Sequence, residues 1–275
     1  MAEAARNIVC SGGKPLAVTD CLNYASPEDP EIMWQFRESL KGISEACVAL
    51  GTPIVSGNVS FYNQSPNGAI FPTPTIGMIG LLDDVSKHCT SWFKEEGDVI
   101  VLLGPECPPL KKGGWGDLGG SEWLKLTTGE VRGDAPALNL KKERAVQQLC
   151  LEGIRKGWIR SAHDCAEGGL AVALAESCMM GPKALGAEIP RTPPLSKGGW
   201  GDLAYLFAET QSRIIITVKE KDLRPLLKAA RVKKVSAKKI GVVVGKSLKI
   251  NQLVDVPAKE LQVAWETGFE DGVLR

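Results

Sequence analysis

The chain has 275 residues, 44 % of them apolar, and its 33 Lys and Arg against 32 Asp and Glu leave a formal charge of +1. That length buries roughly three quarters of the unfolded surface in one large domain or two small ones, and the balanced charge argues against a global basic field for nucleic acid. The longest apolar runs, such as Ala171 to Ala175 or Ile240 to Val244, fall far short of the ~20 residues of a membrane helix, and eight scattered cysteines without a Cys-x-x-Cys pair read as reduced thiols of a cytoplasmic protein.

Ala2 to Cys10 reads as a helix already under way, with no capping residue ahead of it, so the first domain is expected to lack its front half. Lys14 to Leu22 is a short buried strand ending near Asp20. Ser26-Pro27-Glu28-Asp29 is a helix start, and Ile32, Met33, Phe36, Leu40, Ile43, Cys47 and Leu50 recur at helical steps until Gly51 and Pro53 close the element. Pro53 to Val55 begins a second strand and Pro74 to Leu82 a third, and the polar stretch from Asp83 to Lys94 marks a boundary between units 1–88 and 95–275. Beyond it, strands are expected at Asp98 to Leu103 and Ser212 to Val218, and helices at Leu138 to Gly157, Gly168 to Met180 and Asp222 to Val232. Lys239 to Val244 and Leu248 to Leu253 are expected to pair as strands before a final helix begun by Pro257.

A string recurs within this pattern. PPLKKGGWGDL at 108–118 and PPLSKGGWGDL at 193–203 agree at ten of eleven positions. Glycines beside Lys112 or Lys197 suit a phosphate loop, but the flanking sequence does not repeat, which favours inserted surface loops near 107–117 and 192–202.

Three polar stretches are candidates for chemistry. Asp20 and Asn58 each end a predicted strand and could converge at one sheet edge, where oxygen ligands hold magnesium beside phosphates. Gly57 would admit a nucleotide and Ser60 could donate a hydrogen bond; the bland alternative is ordinary turn residues. Ser161 to Leu170 opens a helix whose free amides could take an anion, with Asp164 either a magnesium ligand or simply the helix cap. Glu209 and Gln211 either contact a polar ligand or sit exposed at a strand entry. His88 and His163 are the only histidines, and His88 lies in the predicted linker.

Ala17 to Tyr24, Met33 to Phe36, Gly51 to Asn63, Leu118 to Glu122, Ser161 to Leu170 and Glu209 to Arg213 together resemble the large component of phosphoribosylformylglycinamidine synthase, of the aminoimidazole ribonucleotide synthetase superfamily. The resemblance implies an α+β fold: part of a nucleotide-site domain followed by a complete C-terminal-type α+β domain. It also implies that the full enzyme is an ATP-dependent ligase of purine biosynthesis, turning formylglycinamide ribonucleotide and glutamine-derived ammonia into the amidine. By it, Asp20 and Gly57 contact ATP, Asn58 binds Mg2+ and Ser60 contacts substrate, while Asp164, Glu209 and Gln211 match motifs whose active-site counterparts lie in the preceding half. The family's His-Asn-His-Pro motif is absent from the chain, so activity is expected to need the N-terminal half, with a glutaminase subunit and a small bridging subunit as further partners. The rival readings are a non-catalytic nucleotide-binding or assembly module and another ATP-dependent member of the superfamily.

Overall fold

The computed structural model describes residues 1–106, 116–190 and 200–273. Its first unit begins with helix α1 (Ala2–Cys10), then strand β1 (Lys14–Asn23), helix α2 (Pro30–Leu50) and strand β2 (Ile54–Ser60). A two-stranded hairpin, β3 (Gln64–Ser65) with β4 (Gly68–Ala69), precedes β5 (Thr73–Leu81). The sheet order is β2-β1-β5, with β1 parallel to β2 and antiparallel to β5.

Local chemistry sets the bounds of α2. The Asp29 side chain accepts the Glu31 amide at 2.8 Å, Pro30 occupies the first turn, and Gly51 ends the helix at φ +73°. Its inward stripe is narrower than the periodicity suggests. Ile32, Phe36, Ile43 and Cys47 pack with Leu22 and Tyr24 of the sheet, whereas Met33 and Leu40 stay partly exposed. Tyr24, Phe36 and Phe61 close this small core through edge-on ring contacts, with Phe36 centroids 5.1 Å from both partners.

The second unit runs β6 (Val99–Leu103), α3 (Glu122–Thr128), α4 (Leu140–Arg155), β7 (Ile159–Asp164), α5 (Gly169–Met179) and β8 (Ala187–Ile189). It continues with α6 (Trp200–Phe207), β9 (Ile214–Val218), α7 (Glu220–Lys233), β10 (Ala237–Val243), β11 (Ser247–Ile250), β12 (Val254–Pro257) and α8 (Ala258–Val273). One seven-stranded sheet, in the order β12-β11-β8-β10-β6-β9-β7, carries helices on both faces.

Central strands therefore read as unbroken apolar runs. In β6, Val99, Val101 and Leu103 pack under α4 and α7, while Ile100 and Leu102 pack under α5. β9 does the same, with Ile214, Ile216 and Val218 on one side and Ile215 on the other. The expected pairing of β10 with β11 is not formed. β8 inserts between them, antiparallel to β10 and parallel to β11, and β11 pairs instead with β12. Three residues of β8 suffice because Ala187 and Ile189 are fully buried in the sheet core.

The repeated strings lie mostly outside the described residues; only their ends are seen. Gly116–Leu118 forms a 3-10 turn, while Trp200 to Leu203 opens α6, so the same Gly-Asp-Leu takes two local structures. The two ends are spatial neighbours, because Leu118 packs with Ala204 and Ala208.

Although α1 precedes β1 in sequence, its inner face belongs to the second unit. Val9 and Cys10 join the cluster formed by Val146, Leu149 and Cys150 of α4 and the strands beneath.

Candidate functional site

The first candidate site lies on β1 and β2. In their parallel register Asp20 faces Gly57, Cys21 faces Asn58 and Asn23 faces Ser60. A Cβ at Gly57 would lie 2.0 Å from Asp20 Oδ1, so the Asp20 carboxylate covers the glycine and any side chain there would displace it. Cys21 Sγ donates to Asn58 Oδ1 at 3.4 Å on the opposite face.

Successive side chains of a strand alternate between faces. Asp20 therefore sits half-buried on the side covered by α2, along with Val18, Leu22 and Tyr24, while Asn58 and Ser60 lie on the open side. The strands bring Asp20 and Asn58 together in sequence register but not on one surface. The open face is polar and already ordered: Ser56 Oγ donates to Thr19 Oγ1 at 2.8 Å, and Asn63 Nδ2 closes the end of β2 by donating to the Ser60 and Tyr24 carbonyls.

The second candidate site gathers the stretches at 118–122, 163–169 and 209–213. Glu209 Oε1 accepts two backbone amides, Gly168 and Glu122, each at 2.9 Å. It thus caps the starts of α5 and α3 together, and the Asp164 side chain, ending β7, caps neither. Asp164 is buried and turned towards Arg6, whose Nε lies 3.7 Å from Asp164 Oδ2.

Arg6 is the centre of this site and no sequence motif announced it. Its guanidinium is fully buried, donates to Glu143 Oε2 at 3.0 Å and reaches Gln211 Oε1 at 3.3 and 3.4 Å. Ser212 Oγ donates to the same Glu143 oxygen at 2.5 Å, and Gln147 Nε2 donates to Glu143 Oε1 at 2.7 Å and to the Ala2 carbonyl at 3.3 Å. A signal did exist. Arg6 falls on the stripe Ala2, Ala5, Val9, and Glu143 with Gln147 on the stripe Val146, Cys150, Ile154, so each is a polar group at a core position of a helix. Buried charges of that kind must find each other.

His163 borders the cluster, with Nε2 2.8 Å from Glu176 Oε2 and Nδ1 3.6 Å from Asp164 Oδ1. Burial opposes its charge, but the two carboxylates outweigh burial and raise its pKa to about 9. At neutral pH it is an imidazolium and a poor base. Burial also pushes the Cys165 thiol up to about 11 and the Cys178 thiol up to about 12, so neither is an activated nucleophile. His88 lies apart in the connection, its ring Nδ1 2.8 Å from the Val85 carbonyl.

Two family models match: the AIR synthase related protein N-terminal domain over residues 1–82 and the AIR synthase related protein C-terminal domain over residues 95–251. The chain belongs to the AIR synthase related protein family. Among its relatives, the phosphoribosylformylglycinamidine synthase subunit PurL of Anaeromyxobacter sp. (strain Fw109-5) is 47 % identical over all of this chain and 35 % of its own length. The same subunit of Moorella thermoacetica is 46 % identical over 96 % of this chain and again 35 % of its own length. This AIR synthase related chain thus spans about a third of the curated relatives it matches. Two solved structures share the fold: Thermotoga maritima PurL complexed with FGAR (TM-score 0.68, 19 % identity, 94 % of this chain and 41 % of that one), and the Escherichia coli hydrogenase maturation protein HypE (TM-score 0.66, 17 % identity, 93 % of this chain and 76 % of that one).

Proposed function

We propose that the chain supplies one nucleotide-site portion of a phosphoribosylformylglycinamidine synthase, acting in the cytoplasm with ATP, formylglycinamide ribonucleotide and ammonia from a glutaminase partner. The whole-chain similarity to PurL subunits supports this reading, as do T. maritima PurL structures described as complexed with ATP and with FGAR and one of a PurLQS assembly. The observation that carries it at the residue level is the seating of Asp20 on Gly57 across adjacent parallel strands, with Asn58 and Ser60 exposed on the open face.

In this reading Ser60 orients the substrate amide by hydrogen bonding and Asp20 with Gly57 positions the nucleotide. Because Asp20 and Asn58 face opposite sides, a ligand touching both has to pass around the edge strand β2. The described residues do not by themselves build a magnesium site. Asn58 offers a single neutral oxygen, Asp20 is on the other face, and no group of three or more metal-binding side chains is found among the described residues.

The chain spans about a third of its relatives, so the test supplies the remaining portion and the bridging and glutaminase subunits in trans and measures amidine formation. Expected are no turnover by the chain alone, turnover on mixing, and a loss of about tenfold or more with Asn58→Asp or Ser60→Ala. A reconstituted enzyme indifferent to both changes overturns the site assignment.

A further inference from the structure

The α5 start combines what an anion site needs, free amides at the positive end of a helix dipole, with neighbouring acceptors that suit a cation. The structure shows both positions taken by the chain itself. On the anion side, Glu209 Oε1 receives the Gly168 and Glu122 amides at 2.9 Å. The segment carrying Glu209 lies directly on the helix start: a Cβ at Gly169 would be 2.7 Å from the Ala208 carbonyl and 2.8 Å from the Leu206 carbonyl. No space remains there for a phosphate. On the cation side, Asp164, Gln211 and Glu143 all turn to the guanidinium of Arg6.

We propose that this crevice is a ligand site filled from within: the Glu209 carboxylate takes the anion position and the Arg6 guanidinium the cation position, in place of a bound anion and its cation. The inference goes beyond the synthase reading and does not depend on it. Its consequence is mechanical. Arg6 sits on α1, the helix leading into β1 and hence to Asp20, so the internal cation fastens that helix to the second unit. A tethered group acts at a high effective concentration, which external ligands of the same charge cannot match. Asp164, Glu209 and Gln211 are then holding residues of the fold rather than receptors for a nucleotide.

The test uses the 275-residue chain with inorganic phosphate, acetate and guanidinium as probes, at matched ionic strength. Phosphate should leave the melting temperature of the parent chain unchanged. Glu209→Ala should expose the Gly168 and Glu122 amides together to hydrogen exchange, and acetate or phosphate should raise its melting temperature saturably. Saturable stabilisation of the parent by phosphate, or both amides remaining protected in Glu209→Ala, overturns the anion half. Should that variant not fold, Glu209→Gln keeps the accepting oxygen and removes the charge; exchange about fivefold to tenfold faster at both amides is expected, and unchanged exchange at both overturns it. For the cation half, low-millimolar guanidinium should stabilise Arg6→Ala but not the parent, and equal responses of the two chains overturn it.

Discussion

The open face of β1 and β2, with Thr19, Asn23, Ser56, Asn58 and Ser60, and the crevice at the start of α5, with Asp164, Glu209, Gln211 and Ser212, are both polar, yet they differ in who satisfies them. On the first, Asn58 and Ser60 face solvent and Asn58 has only a weak thiol contact. In the second, Glu209, Gln211 and Glu143 each hold at least one bond under 3.5 Å to another part of the chain, and Asp164 lies against Arg6. Polar residues in a loop signal a ligand only where the fold leaves them partners to find. A motif can persist because its own side chains complete it.

The comparison breaks most visibly at Arg6. Arg6→Met removes the guanidinium shared by Glu143 and Asp164 and leaves buried Glu143 without its ion-pair partner and Asp164 with His163 alone, which should cost about 3–5 kcal/mol in urea unfolding. A loss below about 1 kcal/mol would mean the crevice is not held from within.

The pH dependence of the same crevice is the next largest effect. His163 faces Glu176 from α5 and Asp164 from its own strand, with Arg6 beyond Asp164. Its pKa is raised in the fold from 6.5 to about 9. The stabilisation is therefore complete below pH 6.5 and lost as pH rises through 9, on the order of 3 kcal/mol in all. Chemical denaturation at pH 6 and pH 10 measures it, and His163→Gln should flatten the dependence in that window.

Smaller effects sharpen the contrast on the open face. Gly57→Ala must push aside the Asp20 carboxylate, an expected loss of about 1–3 kcal/mol. Asn58→Ala and Ser60→Ala should change stability by less than about 0.5 kcal/mol, because they face solvent. Thermal unfolding of the three variants together tests whether that face is free for a ligand; a large loss at Asn58 would make it structural.

Much of the fold was legible where periodicity was strong. The helical steps of α2 and α4, the helix start at Asp29, the isoleucine run of β9 and the unbroken apolar run of β6 all follow from local pattern. β7 and β8 were not, since one mixes Arg, His and Asp with apolar residues and the other has only three residues. α3 is equally short, and α6 begins inside the repeated string. Neither element carries enough turns for a period to show.

By itself, the sequence determined the two-unit α+β organisation and its family motifs, because hydrophobic period and capping chemistry act over a few residues. Only the tertiary structure decided that β8 separates β10 from β11, that Asp20 and Asn58 face apart, and that Gly-Asp-Leu is a 3-10 turn at one place and a helix at the other. It also decided the pairing of Arg6 with Glu143, 137 residues away, and of Glu209 with the amides of α3 and α5. The physical reason is the same in each case: a buried polar group takes whichever partner the packed chain brings within hydrogen-bond reach, and that partner is distant in sequence.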